Sequence, residues 1–73
     1  MATVSVRNIE STSVTVRVSG VKKGDDLFFF VRLQDDSSDV SGTDYATATS
    51  TTMSTDIGGL EPDTAYLANV RVN

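Results

Sequence analysis

Histidine and cysteine are absent from these 73 residues, so chemistry is left to carboxylates, hydroxyls, two phenols and a few cations. Nucleophilic hydrolysis would need a Ser-Lys pair. The adjacent Lys22 and Lys23 lie in an open polar loop bracketed by glycines, where desolvation is not expected. A glycosidase-like carboxylate pair can be drawn from the ten acidic residues, but it needs a cleft, and a chain this short has little room for one. Asp35, Asp36, Asp39 and Asp44 could offer oxygen ligands to calcium, yet their spacing matches no ordered calcium loop, and Asp25-Asp26 fares no better. Zinc lacks its usual ligands. The expectation is a protein that is not an enzyme, with no catalytic, cofactor-binding or metal-ligating residues and no cofactor.

Composition narrows the partners. Six basic against ten acidic residues leave a net charge of −4, the wrong sign for neutralising phosphates, so no nucleic acid is expected. The longest apolar run, Leu27 to Val31, is five residues, against the roughly 20 of a membrane-spanning helix, and no membrane insertion is expected. The N-terminus lacks the basic and hydrophobic segments of a secretory signal peptide. Residues 1–73 read as one domain that must fold without a disulfide. At this length folding buries only about 60% of the surface the unfolded chain exposes, so stability is marginal.

The elements that would position any functional group are strands, because Thr, Ser and Val dominate and no stretch carries apolar residues at helical spacing. Thr3 to Arg7 alternates with Val4 and Val6 on one face, and Ile9 continues that set inward after Asn8. Asn8 to Thr12 reads as a turn. Ser13 to Val18 alternates again, with Val14, Val16 and Val18 inward, and the loop Ser19 to Asp26 carries the chain to a second sheet. In Leu27 to Leu33 one face reads Leu27, Phe29, Val31, Leu33 and the other Phe28, Phe30, Arg32. Arg is the costliest of these to bury, so the first set should face the core. Asp35 to Asp44 reads as a long acidic loop, and Tyr45 to Ser50 as a weak edge strand. A further strand with Met53, Thr55 and Ile57 inward ends at Gly58-Gly59. The last strand places Tyr66, Ala68, Val70 and Val72 inward and Leu67, Asn69 and Arg71 outward.

The stretch Gly59-Leu60-Glu61-Pro62-Asp63-Thr64-Ala65-Tyr66, followed by alternating residues to Val72, resembles the strand E to strand F corner of a fibronectin type III module. The resemblance extends over nearly the whole chain. It implies an all-β, two-sheet antiparallel β-sandwich of the immunoglobulin-like kind, with six strands A, B, C, C′, E and F. Leu60, Pro62, Thr64 and Tyr66 would form its structural tyrosine corner. Two departures from the family stand out. Val18 occupies the place where family members usually carry a core tryptophan, so the aromatic volume is expected from Phe29 instead. The sequence also reaches Asn73 at the end of strand F with no evident strand G. An edge from about Ala65 to Asn73 would then be solvated, covered by the loop Asp35 to Asp44, paired with a strand from another subunit, or completed by residues of a longer protein.

Phe28 and Phe30, beside Leu67 and Arg71, form the candidate partner contact, since outward aromatic rings on a small domain mark contact surfaces. Carbohydrate binding would instead need Phe28, Phe30 or Tyr45 exposed in a row. The leading expectation is a non-catalytic structural or protein–protein interaction module of a virion, on a phage capsid or tail, or of a bacterial surface. Its partners would be other subunits, reached by strand addition at strand F. The alternative is a spacer or accessory module of a secreted bacterial carbohydrate-active enzyme. Localisation follows as virion, or extracellular and cell surface. An Arg-Gly-Asp tripeptide and an Asn-x-Ser/Thr acceptor are both absent, which weighs against an animal adhesion role.

Overall fold

The structure is a computed structural model that describes residues 2–35 and 40–73. Alternating apolar residues produce six strands: β1 (Thr3–Arg7), β2 (Val14–Ser19), β3 (Asp26–Leu33), β4 (Val40–Thr47), β5 (Thr52–Ile57) and β6 (Tyr66–Val72). The described residues contain no helix. All pairings are antiparallel, and the strands form two sheets of three, ordered β1-β2-β5 and β4-β3-β6. The fold is thus an all-β two-sheet sandwich.

Its core lies between the two central strands. Val14, Val16 and Val18 of β2 meet Leu27, Phe29 and Val31 of β3, with Val21, Ala48, Ile57 and Leu60 closing the ends. Each Val, Leu, Ile or Phe among them contributes about 1.5–3 kcal/mol when fully buried. Phe29 is 0% exposed, whereas Phe28 and Phe30 are half-buried on the opposite face. This register keeps Arg32 out of the core. Val18 is completely buried opposite Met53, so a small residue fills that site while Phe29 supplies the only aromatic ring of the buried cluster.

Three sequence expectations are corrected. Ile9 does not continue the inward face of β1 and is 77% exposed. The strand stops at Arg7, and Asn8 takes a φ of 50°, which turns the chain away before alternation can resume. Asp35 to Asp44 is not one long loop, because β4 begins at Val40 and already pairs with β3 there, across a bulge between Val31 and Arg32. Gly42 belongs to this strand for a packing reason: a Cβ at that position would overlap the Ile57 Cγ2 methyl of the facing sheet. The edge strand expected over Tyr45 to Ser50 consequently ends at Thr47. Ala48, beyond it, is buried and exchanges backbone hydrogen bonds with the β2–β3 loop, donating to Asp25 O at 2.8 Å and accepting from Gly24 N at 2.8 Å.

Candidate interaction surface

The corner before β6 fixes how that strand enters its sheet. The Tyr66 hydroxyl accepts a hydrogen bond from the Glu61 backbone N–H at 2.8 Å, spanning the turn. Leu60 is buried and its N–H donates to Thr12 O at 2.9 Å, while the Thr64 hydroxyl donates to Pro62 O at 2.9 Å. The tight path requires left-handed backbone at Gly59 and at Asp63, where φ is 74° and 53°. Glycine adopts this region without strain, and aspartate is among the side chains that tolerate it best.

Beyond the corner, pairing with β3 sets which residues share a face. Phe28 lies opposite Tyr45 on β4 and Arg71 on β6, Phe30 opposite Thr43 and Asn69, and Arg32 opposite Leu67. Phe28, Phe30, Leu67 and Arg71 are therefore together on the outer face of the β4-β3-β6 sheet. Tyr45, grouped with Phe28 and Phe30 in the sequence only as a condition for carbohydrate binding, joins them on this face. The Phe28 and Tyr45 ring centroids are 4.7 Å apart, and those of Phe28 and Phe30 5.4 Å, with planes 30° and 22° from parallel.

The close approach of Tyr45 has a backbone cause. Asp26 exchanges both backbone hydrogen bonds with Asn73, just after β6, so alternate residues Phe28, Phe30 and Arg32 also direct their backbone groups to β6. Phe28 and Tyr45 then form a non-hydrogen-bonded pair, the kind that brings side chains closest. Tyr45 is 74% exposed and Leu67 40% exposed, while the flanking Thr43, Asn69 and Arg71 are polar. An apolar centre with a polar rim is the usual layout of a protein interface.

The two open sides of the sandwich differ. Between β4 and β5, Asp44 points inward, accepts a short hydrogen bond from the Thr55 hydroxyl, and takes the Tyr45 backbone N–H at 2.9 Å with its other carboxylate oxygen. An inward charge that also occupies an edge N–H is a recognised defence against strand pairing. Between β1 and β6 the described residues place no inward charge, although the Asn69 side-chain oxygen accepts the outward Val70 N–H at 2.8 Å. Val6 and Val72 are partly exposed there, and a cavity of about 430 Å³ opens between the strands beside Val6, Ile9, Tyr66 and Ala68. Among the described residues no strand pairs with the outer side of β6. Val40 to Asp44 does not cover that side, because β4 flanks β3 on the other edge of the sheet.

Asp44 is engaged with Thr55, Asp25 accepts the Lys22 backbone N–H at 2.9 Å, and Asp36 and Asp39 lie outside the described residues. Among the described residues no group of three or more acidic side chains converges on a metal-sized site. Comparison of the chain with protein-family models, with curated proteins and with solved structures finds no match.

Proposed function

We propose that the chain is a non-catalytic structural module that works by protein–protein contact through the outer face of the β4-β3-β6 sheet. The observation that carries this reading is the outward column Tyr45-Phe28-Phe30, rimmed by Arg71, Asn69 and Thr43. Aromatic side chains bring large contact area at low entropic cost, and a flat sheet holds them ready without rearrangement. Strands β1, β2 and β5 in one sheet and β4, β3 and β6 in the other parallel strands A, B, E and C′, C, F of a shortened fibronectin type III-like module. The Tyr66 to Glu61 hydrogen bond supports the same reading. A virion or a bacterial surface, where many subunits pack side by side, is the setting we propose for such a module, with other subunits of the assembly as partners.

The test places a photo-cross-linking amino acid at Tyr45, and as a control at Ser54, which is exposed on the β5 strand of the other sheet. In cells producing the protein, the Tyr45 position should give discrete protein adducts that a second change, Phe30→Asp, abolishes. The Ser54 position should give none. Equal adducts at both positions, or none at Tyr45, would refute a face-specific contact.

A further inference from the structure

We propose that β6 pairs antiparallel with β6 of a second copy of this chain, about a two-fold axis that passes beside Asn69. The inference rests on reading the chain as a contact module and names the partner at its open edge.

The backbone fixes which groups are available. Because Asp26 and Asn73 exchange hydrogen bonds, and the Gln34 N–H donates to Ala65 O at 3.0 Å, the odd-numbered residues of β6 direct their N–H and C=O to β3. Tyr66, Ala68, Val70 and Val72 direct theirs outward. One of these N–H groups, that of Val70, is held by the Asn69 side-chain oxygen at 2.8 Å, a local substitute for a ladder bond. Only one antiparallel register lets all four outward residues pair with outward residues of an identical strand. It sets Tyr66 opposite the other copy's Val72, and Ala68 opposite its Val70. The two Asn69 residues then face each other at the axis. Leu67 falls opposite Arg71, so no like charges meet, whereas a shift toward the C-terminus that centred the axis on Arg71 would oppose two arginines.

Shape favours the same register. Val72 is partly exposed on the inner side of β6, and in this pairing it lies beside the cavity flanked by Tyr66 and Ala68 of the other copy. Each copy thus brings an apolar knob to the other's opening. The β4 edge offers nothing comparable, because Asp44 seals it. Size sets the strength: a seven-residue strand is about 24 Å long, and the molecule is 18 Å thick. The contact therefore covers about 400 Å² per copy, about half of the roughly 800 Å² per partner that a stable complex buries, and the dimer should be weak and concentration-dependent.

Because the chain has no cysteine, single cysteines read the register directly. Asn69→Cys places two thiols across a non-hydrogen-bonded pair, with Cα atoms about 4.5 Å apart, within disulfide range. Leu67→Cys separates the two thiols by four residues along the strands. Under mild oxidation Asn69→Cys should form a disulfide dimer about tenfold faster than Leu67→Cys or an exposed Thr43→Cys control. Without cysteines, Leu67→Arg should weaken self-association about three- to tenfold by facing Arg71, and Leu67→Glu should strengthen it. Sedimentation would measure both, with circular dichroism to check folding. No cysteine preference, or a wild type that stays monomeric at about 1 mM, would overturn the proposal. Either result leaves the face contact to its own test at Tyr45, so the two readings fail separately.

Discussion

Three consecutive phenylalanines give the sharpest check on how this sandwich is built, because alanine at each should have different consequences. Phe29 is 0% exposed between the sheets, and Phe→Ala at such a site costs about 3–5 kcal/mol. A domain of 73 residues has about 4–11 kcal/mol of stability in all. At the lower end of that range, where a domain this short is expected to lie, Phe29→Ala should leave the chain largely unfolded at 37 °C. Phe28 and Phe30 are half-buried on the outer face, where Phe30→Ala removes one stacking contact and Phe28→Ala two, each worth about 0.5–1.5 kcal/mol, with some partly buried area. Phe30→Ala should cost about 1–2 kcal/mol and Phe28→Ala about 1–3 kcal/mol, and both should leave the fold cooperative. Equilibrium urea unfolding followed by circular dichroism would measure all three variants. Equal costs, or Phe30→Ala exceeding Phe29→Ala, would refute the register on which the outer face depends.

Other outcomes follow from single contacts. Tyr66→Phe removes the hydroxyl that accepts the Glu61 N–H. It should cost about 1 kcal/mol, a fall of about 4–8 °C in Tm by calorimetry, and an unchanged Tm would contradict the structural role of the corner. Gly42→Ala drives a methyl into the Ile57 Cγ2 and should cost about 1–3 kcal/mol. Ile57→Ala should make that change less harmful, so the two costs fall short of adding in a double-mutant cycle. Asp44→Val removes the acceptor for the Tyr45 N–H and the Thr55 hydroxyl. It should open a second pairing edge and produce assemblies larger than the wild type's by light scattering, and an unchanged size would contradict the sealing role of Asp44.

The features legible in the sequence were those encoded by a period of two. Val14, Val16 and Val18, then Leu27, Phe29 and Val31, alternate so strictly that a slip of one residue would bury Arg17 or Arg32, and both sets lie in the core. The corner could be read because Gly59, Pro62 and Tyr66 are each tied to a specific backbone or hydrogen-bonding need. The start of β4 could not, because Ser41, Gly42 and Thr43 carry little hydrophobic signal and a bulge interrupts the alternation. That strand is held by the fit of Gly42 against Ile57 and of Asp44 against Thr55, which are contacts between segments distant in sequence. The same gap concealed Tyr45 as the partner of Phe28 and the inward turn of Asp44. Ile9 misled for the opposite reason: an apolar residue at the expected phase is turned outward by the left-handed Asn8 before it.

Amide hydrogen exchange along β6, followed residue by residue by nuclear magnetic resonance across protein concentration, tests the open edge most directly. The N–H groups of Leu67, Asn69 and Arg71 bond to β3 and should be protected at every concentration. Those of Tyr66, Ala68 and Val72 point outward and should exchange rapidly in dilute solution, then gain protection together as concentration rises. Outward amides that exchange equally fast at every concentration would contradict pairing of this edge with a second copy.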